Sequence, residues 1–471
     1  MKTYQDFLKA ENKLKFITSA INDYRSSDEY RTALIANDYE CQRNTTIAQY
    51  EKYLYTQTGQ KVIDFTAANN RLASNYFHRL NTDRCSYSLG NGVSFTRTET
   101  VVEDGEQKQI DITKQALGKD FDSDLYKAAY FALIHGVSFV RWDDGKTYVF
   151  TADQFLPLYD EYTGDLKAGI RFWSLDWAKR PVTVVLYTEE GYTVYRTKEG
   201  RKGLDLEEYQ PQRAYKVRIV ETEADGAEVV GESNYVSLPI IPLYGSKHKQ
   251  STLVGLRPKI DAYDLIQSGF ANDLEQCAEI YWIVSNAMGM DDSDLARFRD
   301  RLKLNHIAVA DTDNSPVKPY TQEIPTQAKE TFLNNIRNSM YEDFGALDVS
   351  NVSSSSRTAT EINAAYQPMD EEADDFEYQI IVFMRKLLTL IGIDDIPQFK
   401  RNKISNQLEQ TQMVALVSNY LDRETILNLL PFITVDQVQE ILNRLDQEEG
   451  RRIENTQMNL PFDEERDEGE E

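Results

Sequence analysis

The sequence is poor in cysteine and histidine, and this scarcity restricts its chemistry. Three cysteines, Cys41, Cys85 and Cys277, lie far apart in 471 residues, without CxxC or mixed Cys/His metal spacing. Such an odd, sparse set is typical of buried thiols in a reducing compartment rather than of a disulfide framework. We interpret the histidines as structural or surface residues, with a general base among them as the alternative. The four are His78, His135, His248 and His306.

Catalytic motifs are also missing. The sequence contains no Gly-rich phosphate loop followed by Lys-Ser/Thr, no HExxH and no GxSxG. Residues 291–294 (Asp-Asp-Ser-Asp) lack the glycine and the distal glutamate of a calcium loop, so helix capping explains them better. Gly90-Asn91-Gly92 indicates a helix stop rather than a phosphate cradle. We therefore expect neither an enzyme nor a protein that binds a cofactor or a metal.

Long apolar runs are absent as well. No stretch approaches the roughly 18 to 20 apolar residues that a membrane helix needs. Residues 1–14 alternate charged with apolar side chains and lack the continuous apolar core of a signal peptide. We expect a protein that is made and assembled in the cytosol, without a membrane partner.

Positive charge is in deficit. The chain has 77 acidic and 52 basic residues, which gives a formal net charge of −25. It contains no long Lys/Arg run. A protein that grips duplex DNA normally presents a basic face, so this balance argues against tight clamping or sequence reading. It leaves room for a surface past which DNA slides.

What is present suits large packed domains. Hydrophobic residues make up 41% and charged residues 27% of the chain, which is ordinary for a globular protein long enough for more than one domain. The 28 tyrosines and 20 phenylalanines favour well-packed cores and interfaces, because aromatic side chains bury large areas.

Apolar periodicity predicts an α+β fold that is mainly helical. Helical patterns cover residues 1–56, 65–89 and 122–135, and Gly136 stops the last of them. An antiparallel β region is predicted next, from alternating or β-prone runs at 137–142, 148–151, 169–173, 182–187, 192–196 and 215–221. Residues 238–243 contain two prolines, which cannot lie inside a central strand, so we expect an extended edge or crossing segment there.

A helical seam follows the β region. Apolar side chains recur at steps of three and four from Leu256 to Met288, and residues 280–284 are β-prone, so we expect the helix to end near Cys277 and a strand to begin. The seam is compatible with an ordinary core helix or with a rod that packs between copies of the chain. Its candidate packing residues are Leu256, Ile260, Tyr263, Ile266, Phe270 and Leu274.

The last third alternates helices with loops. A short helix over 293–302, paired strands at 305–310 and 317–322, and a helix over 326–344 lead into a long polar loop with four consecutive serines. Thr358-Ala359-Thr360-Glu361 is a capping box that opens a long helix to Ile391, and Pro368 should kink that helix. Short helices at 407–420 and 435–446 precede an acidic tail, which we expect to be disordered.

The order of these elements resembles the portal proteins of tailed bacteriophages of the siphophage type. The resemblance rests on Asn70-Arg71-Leu72 with Asn75-Tyr76-Phe77, on Tyr87-Ser88-Leu89-Gly90, and on the Pro-containing segment 238–242. Arg401-Asn402, Asn406, Glu409 and residues 421–430 resemble the C-terminal signature of the family. One departure is the loop before the long helix, which is Ser-rich here and Gly-rich in many relatives.

The resemblance implies a closed ring, typically of twelve subunits, at one capsid vertex, with a channel for DNA packaging and ejection. Its fold has a wing, stem helices, an α/β clip, a tunnel loop, a kinked long helix and a helical crown. The implied domains are a wing (1–250), stem helix 1 (251–277), a clip (278–325), stem helix 2 (326–344), a tunnel loop (345–357), the kinked helix with its link (358–403), a crown (404–446) and a disordered acidic tail (447–471).

The resemblance also implies partners and DNA-facing residues. Double-stranded DNA would pass without sequence specificity, and the terminase large subunit, the major capsid protein, the scaffold and the head–tail connector (adaptor) protein would bind the ring. The tunnel-loop residues that would face DNA are Ser350, Asn351, Ser353, Ser354, Ser355, Ser356 and Arg357. Two alternatives are a minor head or tail adaptor protein, which is usually shorter, and an enzyme that acts on nucleic acid or head proteins. The absence of a phosphate loop and of metal-ligand clusters disfavours the enzyme.

Overall fold

The computed structural model describes most of the chain. The described residues are 2–55, 59–65, 67–103, 106–174, 181–198, 204–222, 226–277, 281–284, 317–320, 325–349, 359–402, 411, 414–430, 433, 438, 441–442 and 444–445. They fall into two compact units. Unit one comprises Met1–Ala33, Asn81–Ser251 and Gly345–Glu471, and unit two comprises Leu34–Leu80 and Thr252–Phe344.

Helices lie towards both ends of the chain and flank a β-rich middle. They are α1 (Tyr4–Lys9), α2 (Lys13–Arg25), α3 (Asp28–Glu40), α4 (Thr45–Ala48), α5 (Tyr76–Leu89), α6 (Ile112–Leu117), α7 (Phe121–His135), α8 (Leu253–Cys277), α9 (Thr326–Phe344), α10 (Ala359–Ile391) and α11 (Arg423–Leu429), with a 3-10 turn at Ser418–Tyr420.

The strands are all paired antiparallel. They are β1 (Tyr53–Tyr55), β2 (Lys61–Ile63), β3 (Val93–Phe95), β4 (Thr98–Glu103), β5 (Glu106–Asp111), β6 (Val137–Asp143), β7 (Lys146–Thr151), β8 (Phe155–Tyr159), β9 (Leu166–Trp173), β10 (Thr183–Thr188), β11 (Gly191–Thr197), β12 (Leu206–Arg213), β13 (Lys216–Thr222), β14 (Gly226–Ser233), β15 (Ile240–Tyr244), β16 (Tyr281–Val284), β17 (Val317–Tyr320) and β18 (Pro397–Phe399). This mixture of helices and antiparallel sheets confirms the α+β class.

A five-stranded sheet in the order β12-β11-β10-β9-β8 forms the centre of unit one. Leu156, Ile170 and Leu186 on one face pack with Ile17 and Ile21 of α2. Their neighbours along the strands, such as Phe155 beside Leu156 and Val185 beside Leu186, belong to a second core on the other face of the sheet. Because successive side chains of a strand point to opposite faces, both faces of this sheet are covered. The predicted antiparallel β region is therefore confirmed.

The second core of unit one joins α7, α10 and a three-stranded sheet in the order β15-β6-β7. Helix α7 ends at Gly136, as predicted, with φ of +87°. A Cβ at Gly136 would lie 2.7 Å from the carbonyl carbon of Gln250, so the position needs glycine both for its conformation and for its space. Pro242 lies on edge strand β15, opposite Phe139, which confirms the expected edge segment.

Unit two is built on α8 and α9. The start of α8 faces the end of α9, because Lys259 pairs with Asp343 and Asp273 pairs with Lys329, so the two helices run antiparallel. Helix α9 has the predicted bounds. Helix α8 ends at Cys277, and the expected strand follows as β16, which pairs with β17. The predicted strand over 305–310 and the predicted helix over 293–302 lie outside the described residues.

Four sequence expectations need correction. Helix α5 begins at Tyr76 rather than at Phe65, because the backbone N–H groups of Asn70, Leu72 and Ser74 donate to side chains of α8 instead of to a helical ladder. The helical prediction over 1–56 is wrong at residues 53–55, which form strand β1. Strands β2, β3, β8, β12, β14 and β18 and the hairpin β4–β5 were not predicted. Residues 423–429 form a separate helix, which the predicted crown helices did not include.

Candidate functional site: a helical pair and a clamped long helix

The predicted DNA-facing residues Ser350, Asn351, Ser353–Ser356 and Arg357 lie outside the described residues, so their role stays a prediction. The start of their loop is described. Gly345 follows α9 with φ of +63°, and a Cβ there would lie 2.6 Å from Cγ of Glu372 and 3.1 Å from the Pro368 carbonyl oxygen. Gly345, the first residue of the predicted tunnel loop, therefore packs against the first half of α10, where there is space only for glycine.

The predicted packing residues of α8 differ in burial along the helix. Leu256 and Ile260 are buried within their own subunit, and Tyr263, Ile266 and Phe270 are half-buried. Leu274, near the helix end, leaves 55% of its surface exposed. The apolar side of α8 is thus buried at the start of the helix and exposed at its end. Its role in packing between subunits stays a prediction.

A ladder of polar side chains on α8 holds the segment before α5. Asp264, Ser268 and Asn272 recur every four residues and are buried. Ser268 Oγ accepts the Leu72 N–H at 2.9 Å, and Asn272 Oδ1 accepts the Asn70 N–H at 2.6 Å. The side-chain amide of Asn70 donates to the same Asn272 oxygen at 3.0 Å. Residues spaced by four share one helix face, so the ladder holds the segment 70–74 along α8.

Asp264 is the first residue of this ladder and makes hydrogen bonds to two other segments of unit two. It accepts the Ser74 N–H at 2.9 Å and a hydrogen bond from the Asn44 side chain. Burial raises the pKa of Asp264, and the bonds from Asn44 and Ser74 oppose that rise. One turn earlier, Asp261 accepts hydrogen bonds from Tyr39 and, at 2.8 Å, from Thr46.

Charged and aromatic side chains join α8 to α9 and α5. Lys259 Nζ donates to the Ser339 carbonyl oxygen at 3.1 Å and to Ser339 Oγ at 2.6 Å. The Tyr76 ring meets the Tyr263 ring edge-on at 5.0 Å. Lys259 and Lys329 pair with acids at opposite ends of the helices, so these contacts fix the helical pair along its length.

In unit one, Arg401 clamps the acidic first half of α10. Its Nε and Nη2 donate to the two carboxylate oxygens of Glu377 at 2.9 and 2.8 Å, which is a bidentate pair. Its Nη1 donates to Asp370 at 2.9 Å, and Nη2 also pairs with Asp374. Hydrogen bonds to Glu377 are the main reason that the pKa of Arg401 is raised, so the guanidinium stays charged.

Three other groups bind the same stretch of α10. The Tyr87 hydroxyl donates to Asp370 at 2.6 Å, the buried Arg84 pairs with Glu372 at 3.2 Å, and the Lys247 backbone N–H donates to Asp375 at 3.2 Å. The backbone N–H of Asn402 donates to the Tyr87 carbonyl oxygen at 2.9 Å. The helix that follows the predicted tunnel loop is therefore held from three different parts of unit one.

Sequence reasoning missed both the ladder and the clamp. A regular four-residue spacing of polar side chains inside an apolar helix was the available signal for Asp264, Ser268 and Asn272. Six acids between Asp370 and Glu377 were the signal for a basic partner, but the distance along the chain hid Arg401. The structure nevertheless uses residues from the motifs that carried the resemblance. Asn70 and Leu72 bind α8. Tyr87 and Arg401 meet at Asp370 of α10, and Asn402 binds the Tyr87 carbonyl oxygen.

Within the described ranges, no group of three or more His, Cys, Asp or Glu side chains is placed to hold a metal ion. No helix in that part of the chain has the length and apolarity needed to cross a membrane.

Comparison with known proteins identifies the family. The sequence profile described as "Phage portal protein, SPP1 Gp6-like" matches residues 28–451. The chain belongs to this phage portal protein family. A portal protein of Clostridium phage phiCD119 is 23% identical over 397 residues, which cover 79% of this chain and 83% of the relative. The portal protein of Bacillus phage SPP1 is 24% identical over 462 residues, which cover 92% of this chain and 85% of the relative.

A solved structure titled "Neck of native GTA particle computed with C12 symmetry" is also similar. It covers 76% of this chain and 89% of its own, with 11% identity and a TM-score of 0.38. The family match confirms the predicted family and the portal function. As a phage portal protein, the chain is a ring-forming component of a phage particle, located at the portal vertex, and portal proteins are structural proteins.

Proposed function

We propose that the chain forms a closed ring of twelve copies whose channel carries double-stranded DNA into the capsid during packaging and out of it during ejection. The family match over residues 28–451 is the observation that carries this proposal. The order of elements supports it, since an antiparallel helix pair is followed by a loop and a 33-residue helix. Twelve is the subunit number that the resemblance implies.

Within this proposal, the parts of the chain take the roles of portal domains. The assignments are wing (1–250), stem helices (251–277 and 326–344), clip (278–325), tunnel loop (345–357), kinked helix with its link (358–403), crown (404–446) and acidic tail (447–471). The ion pairs that hold α9 against α8 and the Arg401 clamp on α10 support this assignment, because they fix the two helices that flank the loop.

The charge of the ring suits passage rather than capture. Twelve copies at −25 each would carry a formal charge of roughly −300, a field that repels DNA at long range. Each phosphate that a protein cation neutralises increases the affinity of the ring for DNA, and tightly bound DNA would stop moving through the channel. Small, uncharged serines at the constriction would contact phosphates without forming strong charge-assisted bonds.

The ring would act as a docking platform and not as an enzyme. During packaging it would bind the terminase large subunit, with the major capsid protein and the scaffold around it. Afterwards it would bind the head–tail connector proteins. Assembly would take place in the host cytoplasm before the portal becomes part of the virion. No cofactor enters this function.

A genetic complementation experiment tests the proposed function. A phage whose copy of this gene is interrupted should build heads that contain no DNA, and the intact chain supplied in trans should restore DNA-filled heads. Filled heads in the interrupted phage would contradict a role in packaging. Filled heads that fail only to attach tails would instead favour an adaptor protein.

A further inference from the structure

A short hairpin of unit two projects apolar side chains into solvent. Within the described part of the chain, strands β1 and β2 pair only with each other, with Tyr53 opposite Ile63 and Leu54 opposite Val62. Tyr53, Val62 and Ile63 are exposed, and Phe65, two residues beyond β2, leaves 88% of its surface uncovered. We call residues 53–55 and 59–65 the arm.

The apolar exposure of the arm is unusual because it involves both faces of the hairpin. Neighbouring residues of a strand point to opposite sides, and Val62 and Ile63 are both exposed. Single exposed apolar residues are ordinary, whereas a contiguous set marks an interaction surface. A two-stranded hairpin is also marginally stable in water unless something packs on it.

The base of the arm is fastened to unit two. Arg71 pairs with Glu51 at 2.7 Å and donates to the Ala48 carbonyl oxygen at 2.7 Å. The Asp64 N–H donates to the Lys52 carbonyl oxygen at 2.9 Å, which extends the hairpin ladder by one bond. A fixed base with uncovered strands is the arrangement expected of an element that reaches a partner.

A second apolar surface lies on α8 of the same unit. Val254, Pro258 and Leu265 are exposed, and their spacing of four and seven residues places them on one helix face. Ala262 and Gly269 lie beside them on the helix. Asp261 lies on the same side of α8, three residues from Pro258 and four from Leu265, and it pairs with Arg257 at 3.6 Å. This surface is distinct from the polar ladder of Asp264, Ser268 and Asn272.

We infer that the arm of one subunit packs on the exposed apolar residues Val254, Pro258 and Leu265 of α8 in the next copy of the chain. This rests on the proposed ring. In a ring, each subunit meets its two neighbours through two different surfaces, head to tail. One unit that exposes two different apolar surfaces meets this requirement, whereas an unrelated partner would need only one. The charges at the two surfaces have partners: Lys61 Nζ, the cation of β2, lies 3.6 Å above the Tyr53 ring, and Asp261 of α8 pairs with Arg257.

A matched pair of variants tests whether the arm is needed. Phe65→Asp and Tyr162→Asp replace equally exposed aromatic residues, at 88% and 87%, so neither should unfold the subunit. Phe65→Asp should reduce the fraction of protein in rings about tenfold or more at equal concentration, because it buries a charge in the contact. Tyr162→Asp, on the loop between β8 and β9, should assemble like the wild type. Light scattering measures ring content, and circular dichroism checks the fold.

Crosslinking tests the partner surface. In a Cys41→Ser, Cys277→Ser background, one preparation carries Val62→Cys and another carries Leu265→Cys. Rings assembled from the mixture should give covalent dimers with a short bismaleimide, and rings of either variant alone should give none.

Three results would overturn the inference: Phe65→Asp that assembles like the wild type, Tyr162→Asp that loses rings to the same extent, or intact mixed rings without crosslinked dimers. Dimers from Val62→Cys alone would replace it with an arm-to-arm contact. The proposed function fails separately, if the wild-type chain itself forms no rings.

Discussion

Tyr87 and Arg401 share one carboxylate oxygen: Oδ1 of Asp370 accepts the Tyr87 hydroxyl at 2.6 Å and Arg401 Nη1 at 2.9 Å. Tyr87 lies two residues before the end of α5, and Arg401 follows the long helix α10 by ten residues. They meet at Asp370, in the first half of α10, thirteen residues beyond the predicted tunnel loop. The clamp therefore sets the position of the helix on which that loop depends.

Arg401→Ala should loosen α10. The change removes donors from three carboxylates, and Glu377 is buried, so its charge would lose its compensation. Breaking a partly buried ion-pair network of this kind costs about 2–4 kcal/mol. Urea unfolding should show the loss, and hydrogen exchange should place it around Asp370.

Arg385→Ala is the control for this prediction, because Arg385 is an exposed arginine of the same helix. It should change stability by less than about 0.5 kcal/mol. Equal effects of the two substitutions would mean that Arg401 does not hold the helix.

Acidification should destabilise unit one through His135. Burial lowers the pKa of His135 to about 4, with Asp153 opposing the shift. The unfolded histidine takes up a proton as the pH falls through about 6.5, while the folded one stays neutral until about pH 4. Stability should therefore fall between pH 7 and pH 5, by about 2 kcal/mol.

Comparison of the wild type with His135→Gln isolates this effect, because the variant lacks the titrating group. Urea midpoints at pH 7 and pH 5 should differ more in the wild type than in the variant. The same pH dependence in both proteins would assign the effect to another group.

Two substitutions on α8 should have different effects, one on the folding of unit two and the other on ring assembly. Ile260→Asp places a charge in the core of unit two, where it costs several kcal/mol, so the unit should unfold. Leu274→Asp changes an exposed residue, so the isolated subunit should keep its secondary structure while ring assembly is lost.

Circular dichroism and light scattering distinguish the two outcomes. Intact large oligomers of Leu274→Asp would show that the end of α8 does not pack between subunits.

Local sequence patterns predicted the elements whose stability is local. Gly136 marks the end of α7, the proline-containing segment is an edge strand, and the helix over 326–344 has its predicted bounds. Strand β8 escaped prediction because its residues are buried on both faces, which removes the alternation that identifies a strand.

Contacts between distant residues could not be predicted in this way. The segment before α5 has helical spacing, yet its backbone donates to α8 about two hundred residues later. The Arg401 clamp joins residues that no local pattern connects. For the predicted DNA-facing loop, the sequence and the family resemblance remain the basis of the prediction.

Replacing Ser353, Ser354, Ser355 and Ser356 with lysine should stall DNA. Up to four cations per subunit would then stand at the proposed constriction, and affinity for phosphate grows with their number. We expect rings of normal appearance that package little DNA in a reconstituted head-filling assay. The four-alanine variant is the control and should package normally. If the lysine variant packages at the wild-type rate, the loop does not line the channel.

Negative-stain electron microscopy of the purified wild-type chain tests the central claim most directly. The account predicts closed rings with a central hole, of one subunit number, in class averages viewed along the axis. Compact particles without a hole, or single subunits over a wide range of concentration, would contradict it.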